Sequence, residues 1–157
     1  MRRYIGVDVG SRRIGVAVSD PFGSMALPLE TIDGRDGGKA ARRIATLVAE
    51  YEAAGIVVGW PIDMRGKEGA ATRMVAAFLG LLDKALARDN LSVDVHRWDE
   101  RLTTHAAEAL MIEADISRAK RKETVDQIAA AHILQGYLDA LRIQAARESD
   151  GEDNGQG

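Results

Sequence analysis

The stretch Arg3-Tyr-Ile-Gly-Val-Asp-Val-Gly-Ser-Arg-Arg-Ile-Gly-Val-Ala-Val-Ser19 predicts a β-hairpin. Apolar side chains alternate with small or polar ones over residues 3–9, which is typical of a strand with one buried face. Residues 10–13 have the composition of a turn, and the apolar run over residues 14–19 predicts a second strand. We therefore expect the fold to begin with two antiparallel strands.

Helical and strand patterns alternate along the rest of the chain. A strand, a helix and another strand in succession predict parallel pairing through right-handed crossovers. Together with the hairpin, these units predict one α/β domain: a mixed five-stranded sheet, an antiparallel meander followed by parallel strands, flanked by helices. The remaining predicted elements are strands near 26–32, 55–59 and 91–98, and helices near 38–53, after the glycine-rich loop 63–69, over 103–113 and from about 123 to 147.

Composition excludes several kinds of site. The 157 residues contain no cysteine, which excludes disulfides, thiolate zinc sites, iron–sulfur clusters and cysteine nucleophiles. The first residues do not resemble a secretory leader, and no apolar run approaches the roughly 18 residues of a membrane span. We therefore expect a cytoplasmic protein that does not bind membranes.

Charge is distributed unevenly along the chain. The formal net charge is −3, but residues 148–157 contain four acidic residues, no basic residue and no apolar side chain. We expect a single domain over residues 1–147, followed by a disordered acidic tail over residues 148–157. Without that tail the net charge is about +1, which allows a local basic surface for an anionic partner.

Asp8 interrupts an apolar strand that is expected to be central. Burying an unpaired carboxylate is costly, so a partner must compensate its charge. One explanation is a hydrogen bond to the following turn, which aspartates often make. The other is a metal ligand at the end of a strand, with Gly6 and Gly10 leaving space for substrate. Asp8 taken alone leaves both explanations open.

Two further acidic positions join Asp8. Asp99 and Glu100 follow the fifth predicted strand, at the end where open α/β sheets bind ligands, and Asp126 lies near the start of the last helix. Acids are also common at helix N-termini, and the sequence leaves open whether Asp99 or Glu100 points inward. Carboxylates of this kind suit Mg²⁺ or Mn²⁺. They can hold two ions about 4 Å apart for the attack of water on a phosphodiester bond.

Basic residues adjoin each acidic position. Exposure to solvent is the usual explanation for a run of basic residues. Neutralisation of phosphate beside a metal site, however, explains the basic residues at all three positions together. Trp60 and Trp98 could stack on bases, although core packing is the favoured reading for both. The candidate nucleic-acid-binding residues are Arg12, Arg13, Arg101, Arg118, Lys120, Arg121 and Lys122.

Four ordered motifs resemble the YqgF (RuvX) family over residues 3–142. They are Asp8-Val-Gly-Ser-Arg-Arg-Ile-Gly-Val-Ala-Val-Ser-Asp20, Val58-Gly-Trp-Pro61, Asp99-Glu-Arg-Leu-Thr-Thr104 and Val125-Asp-Gln-Ile-Ala-Ala130. The resemblance implies an RNase H-like fold related to Holliday-junction resolvases, and a nuclease that matures the 5′ end of 16S ribosomal RNA. It also implies that Asp8, Glu100 and Asp126 are the catalytic acids. The expected partner is a ribosomal RNA precursor rather than branched DNA. Association with the ribosome is compatible with this function.

Three other functions compete with this one. A Holliday-junction DNA resolvase would use the same acids and would need a dimer with two suitably spaced sites. A phosphotransferase of the actin or sugar-kinase type also has a similar first phosphate loop, but it needs a second lobe that 157 residues do not provide. A non-catalytic RNA-binding or ribosome-associated module is disfavoured, because unneutralised acids would repel phosphate.

Overall fold

The computed structural model describes residues 2–102 and 118–154, and it confirms the mixed five-stranded sheet. The strands lie in the order β3-β2-β1-β4-β5. β1 pairs antiparallel with β2, and β2 with β3, whereas β4 pairs parallel with both β1 and β5. The helix predicted over residues 103–113 lies outside the described residues. The elements are β1 Tyr4–Val9, β2 Arg13–Ser19, β3 Ala26–Asp33, α1 Gly37–Glu50, β4 Gly55–Trp60, α2 Ala70–Arg88, β5 Asp94–Asp99, a 3-10 turn Glu100–Leu102 and α3 Arg118–Asn154.

The sheet separates two hydrophobic clusters. Helices α1 and α2 cover one face, and α3 covers the other. The alternation of β1 explains this division, since Ile5 and Val7 belong to the cluster under α1 and α2, while Tyr4 belongs to the cluster under α3. Asp8 follows Tyr4 at an even spacing, so it lies on the face that α3 covers.

Glycines allow α3 to approach the sheet closely. A Cβ added to Gly6 would lie 2.7 Å from Leu134 Cβ, and one added to Gly15 would overlap the backbone carbonyl of Asp126. The expectation that Gly6 leaves space for substrate is therefore wrong, because the helix occupies that space. Gly10 closes the β1–β2 turn instead, where its N–H donates to the Arg13 carbonyl at 3.0 Å.

Helix α3 is longer than predicted at both ends. It begins at Arg118 and continues to Asn154, whereas the sequence predicted an end near Arg147 and a disordered tail over residues 148–157. Residues 142–151 are exposed, so no apolar burial holds this segment. The helix continues because adding a turn to a formed helix costs little, and Gln144 donates to Glu148 one turn later at 3.3 Å.

Helix α3 has 37 residues, which is long enough to span a membrane, but charged residues recur along it. Across residues 2–102 and 118–154, no helix is both long enough and apolar enough to cross a membrane.

Candidate active site

The three predicted acids meet at one edge of the sheet. Asp8 lies near the end of β1, and Glu100 follows β5 directly. Because β1, β4 and β5 are mutually parallel, their carboxyl ends share this edge. Asp126 arrives from α3: its backbone rests on Gly15, which is the residue paired with Asp8 across the β1–β2 ladder.

Asp8 and Glu100 share a hydrogen bond between their side chains. Two carboxyl groups can form such a bond only when one of them holds a proton, and Asp8 is the better holder. Burial, together with the negative charges of Glu100 and Asp126, raises the pKa of Asp8 to about 7. Burial also raises the pKa of Glu100, although the bond from Asp8 opposes that rise. The partner that compensates the buried carboxyl group of Asp8 is thus another acid, Glu100.

Glu100, and not Asp99, occupies the site. The Asp99 carboxylate turns to Arg101, whose Nη2 donates to it at 2.6 Å, and this pairing lowers the pKa of Asp99. Glu100 instead lies over Gly59, where an added Cβ would overlap its Oε1. Gly59 is a residue whose role the sequence analysis missed, although it belongs to the motif Val58-Gly-Trp-Pro61.

Asp126 is held by an arginine. Arg13 Nε donates to Asp126 Oδ2 at 2.7 Å, and the side chains are 44% and 22% exposed. The described residues contain no set of three acidic or histidine side chains already gathered tightly enough to hold a metal ion. The donor set nevertheless fits a hard divalent cation: two acids share one proton, and a guanidinium neutralises the third.

Comparisons with known proteins identify the family. The family model RuvX, described as Holliday junction resolvase, matches residues 2–140. The chain belongs to the RuvX family. A protein of Roseobacter denitrificans named "Putative pre-16S rRNA nuclease" is 45% identical over 94% of this chain and 89% of its own length. A protein of Clostridium botulinum with the same name is 42% identical over 88% of this chain and 98% of its own length.

Solved structures confirm the RNase H-like fold of this RuvX chain. The structure of T. thermophilus RuvC in complex with a Holliday junction substrate superposes with a TM-score of 0.58. The match covers 89% of this chain and 96% of that one, at 16% sequence identity. The resemblance that the four motifs carry is thereby confirmed for both family and fold.

The predicted basic residues of the RuvX chain divide into three groups. Arg13 contacts Asp126 directly, and Arg12 is exposed beside it in the sequence. Arg101 is paired with Asp99 next to Glu100. The side chains of the third group lie outside the described residues, although the backbone positions fall in the first turns of α3: Arg118, Lys120, Arg121 and Lys122.

Both tryptophans pack with the hydrophobic clusters of the sheet. Trp60 is buried, with the Arg97 guanidinium 4.0 Å above its ring and its Nε1 donating to Glu68 at 3.3 Å. Trp98 is partly buried against the backbone of Gly136. Core packing, the favoured reading of both residues, is confirmed.

The raised pKa of Asp8 predicts how stability depends on pH in the metal-free protein. The folded state holds this proton up to about pH 7, whereas the unfolded chain releases it near 3.8. The folded state therefore binds more protons in this interval, and the free energy of unfolding falls as pH rises through it. Asp8→Asn is expected to remove most of this fall and to stabilise the metal-free protein at pH 8 by about 1–3 kcal/mol. Urea unfolding with EDTA at pH 5 and pH 8 measures both effects, and parallel pH curves for the two proteins would contradict them.

Proposed function

We propose that the chain is a metal-dependent nuclease that hydrolyses phosphodiester bonds. The observation that carries this proposal is the convergence of Asp8, Glu100 and Asp126 at one sheet edge, with two of the three hydrogen-bonded to each other. Holding like charges together is unfavourable unless a cation compensates them, and perturbed carboxyl groups of this kind cluster at functional sites. Membership of the RuvX family supports the same class of reaction.

Asp8, Glu100 and Asp126 would hold Mg²⁺ or Mn²⁺. When bound, the metal would supply activation of the attacking water and stabilisation of the leaving oxygen, in a one-ion or two-ion arrangement. The glycines of the sheet permit this convergence: Gly59 leaves space for Glu100, and Gly15 leaves space for the backbone of Asp126. Arg13 neutralises Asp126 and carries further N–H donors that a phosphate oxygen can accept from.

The proposed substrate is the precursor of 16S ribosomal RNA, processed at its 5′ end. The names of the relatives at 45% and 42% identity support this substrate. We propose a reaction in the cytoplasm, near the ribosome. We assign the activity to residues 1–147. A Holliday-junction DNA resolvase is the second candidate, and the description of the matching family model favours it.

Cleavage assays on two substrates test this proposal. The protein is incubated with an RNA spanning the 5′ end of precursor 16S RNA, and separately with a four-way DNA junction, in Mg²⁺, in Mn²⁺ and in EDTA. We expect cleavage of the RNA in either metal and no cleavage in EDTA. Cleavage of the junction but not of the RNA would identify DNA as the substrate. Tight RNA binding without cleavage in either metal would favour a non-catalytic module.

A further inference from the structure

A separate cleft of about 750 Å³ lies where the start of β2 pairs with the end of β3. It is next to the active site, because one of its residues, Arg13, binds Asp126. Arg13 opposes Asp33 in the β2–β3 ladder, and the chain continues from Asp33 to Arg35. None of the acids Asp8, Glu100 and Asp126 lines this cleft. The residues that line it are Arg12, Arg13, Thr31, Ile32, Asp33 and Arg35.

The cleft is positively charged, and two of its three arginines are paired with carboxylates. Asp33 binds Arg35 through two contacts, Nε to Oδ1 at 3.0 Å and Nη2 to Oδ2 at 2.7 Å. Asp126 holds Arg13 through Nε. These described contacts do not use Nη1 of Arg35 or either Nη group of Arg13. Arginines fixed in this way lose little side-chain entropy when they bind an anion.

The chemistry of the lining favours a sugar–phosphate backbone over a base. Three guanidinium groups face one carboxylate, and guanidinium donors match phosphate oxygens well. Among the described residues that line the cleft, none is aromatic, so it offers no ring on which a base could stack. A ligand held by such contacts is recognised without regard to its base sequence.

We propose that this cleft binds the backbone of the substrate strand next to the point of cleavage. The inference rests on the proposed nuclease function and extends it to Arg35, which the sequence analysis did not identify. The cleft lies about 10 Å from Asp8, since two strand spacings separate β3 from β1. A strand with one phosphate per about 3.4 Å of helix axis spans this distance with at most about three nucleotides, so the bound phosphate lies within about three nucleotides of the cleavage site. Arg13 lines the cleft and contacts Asp126, so it connects the two sites.

The test measures how the affinity for nucleic acid depends on salt. A labelled single-stranded RNA oligonucleotide is titrated with the wild-type protein and with the double variant Arg12→Ala/Arg35→Ala at several salt concentrations. Each lost phosphate contact reduces the slope of log K against log salt by about 0.7 for a single strand, so we expect a reduction of about 1.4. The variant Arg12→Lys/Arg35→Lys keeps the charge and is expected to restore most of the slope.

Arg142→Ala is the matched control. Arg142 is also an exposed arginine paired with a nearby acid, Asp139 at 2.6 Å, and lies about 24 Å along α3 from Asp126. It should keep the wild-type slope, and melting curves confirm that each variant is folded. If the double alanine variant loses affinity for inorganic phosphate but binds RNA as the wild-type protein does, the cleft binds a free anion and the proposal is overturned.

The results distinguish this inference from the proposed function. If the wild-type protein cuts RNA and the double alanine variant keeps its slope, the cleft is not a strand-binding site, although the nuclease stands. If the wild type cuts only the DNA junction, the same slopes are measured on junction DNA, where about 0.9 is lost per contact. A wild-type protein that binds neither nucleic acid overturns both.

Discussion

Asp8→Asn is expected to reduce metal-dependent cleavage at least about a hundredfold, because losing a residue that merely supports a metal ligand already costs 10–100-fold. Asparagine keeps the shape of the side chain but removes the charge that binds the cation. The fold should survive, since the change also removes repulsion from Glu100 and Asp126. Single-turnover cleavage in saturating Mg²⁺ measures the loss, and calorimetry measures the accompanying loss of metal binding.

Three further variants define the specificity of this effect. Glu100→Gln should match Asp8→Asn, whereas Asp99→Asn should lose less than about tenfold, because Asp99 is turned toward Arg101. Asp139→Asn, at an exposed ion pair on α3, is the control for removal of an acid. Wild-type cleavage by a folded Asp8→Asn protein would refute the site, and equal losses in Glu100→Gln and Asp99→Asn would refute the choice of Glu100.

Gly15→Ala is expected to lower the free energy of unfolding by at least about 2 kcal/mol, because inserting atoms into a packed interior forces the backbone to move. The added methyl would overlap the backbone of α3 at Asp126, so neither partner can rotate away. The displaced helix should also carry Asp126 out of position, and an error of about 1 Å in a reacting group can cost a hundredfold in rate. Urea unfolding and cleavage by the folded fraction measure the two effects.

Gly80→Ala is the matched control for this substitution. Nothing lies within 4 Å of a Cβ added at Gly80 in α2. Alanine is favoured over glycine in a helix by up to about 1 kcal/mol, so this variant should be slightly more stable and should cleave normally. A Gly15→Ala protein as stable and as active as Gly80→Ala would show that α3 is not seated on Gly15.

The fold was predictable because its local signals agree. The hairpin follows from alternation over residues 3–9 and an apolar run after a turn, and the parallel units follow from the order of strands and helices. The ends of α3 were not predictable from apolar periodicity, because residues 148–154 remain helical without burying apolar side chains. An exposed helical extension depends on local hydrogen bonds, which that pattern does not report.

The site was predictable only in part. Asp8 is conspicuous because it interrupts an apolar strand, but the choice between Asp99 and Glu100 depends on the 3-10 turn Glu100–Leu102, where strand alternation no longer applies. The roles of Gly15 and Gly59 arise from contacts with α3 and Glu100 that are distant in sequence. Arg35 was missed for the same reason, since its neighbours Arg12 and Arg13 come from another strand and turn.

The exposed end of α3 offers a way to attach the protein without obstructing its reaction. Asn154 lies about 42 Å along the helix from Asp126, at a rise of about 1.5 Å per residue. Helix α3 would hold a linker, a dye or a solid support joined there away from the active site. The same span falls within the working range of fluorescence energy transfer, so a donor on that end would report the arrival of an acceptor-labelled strand.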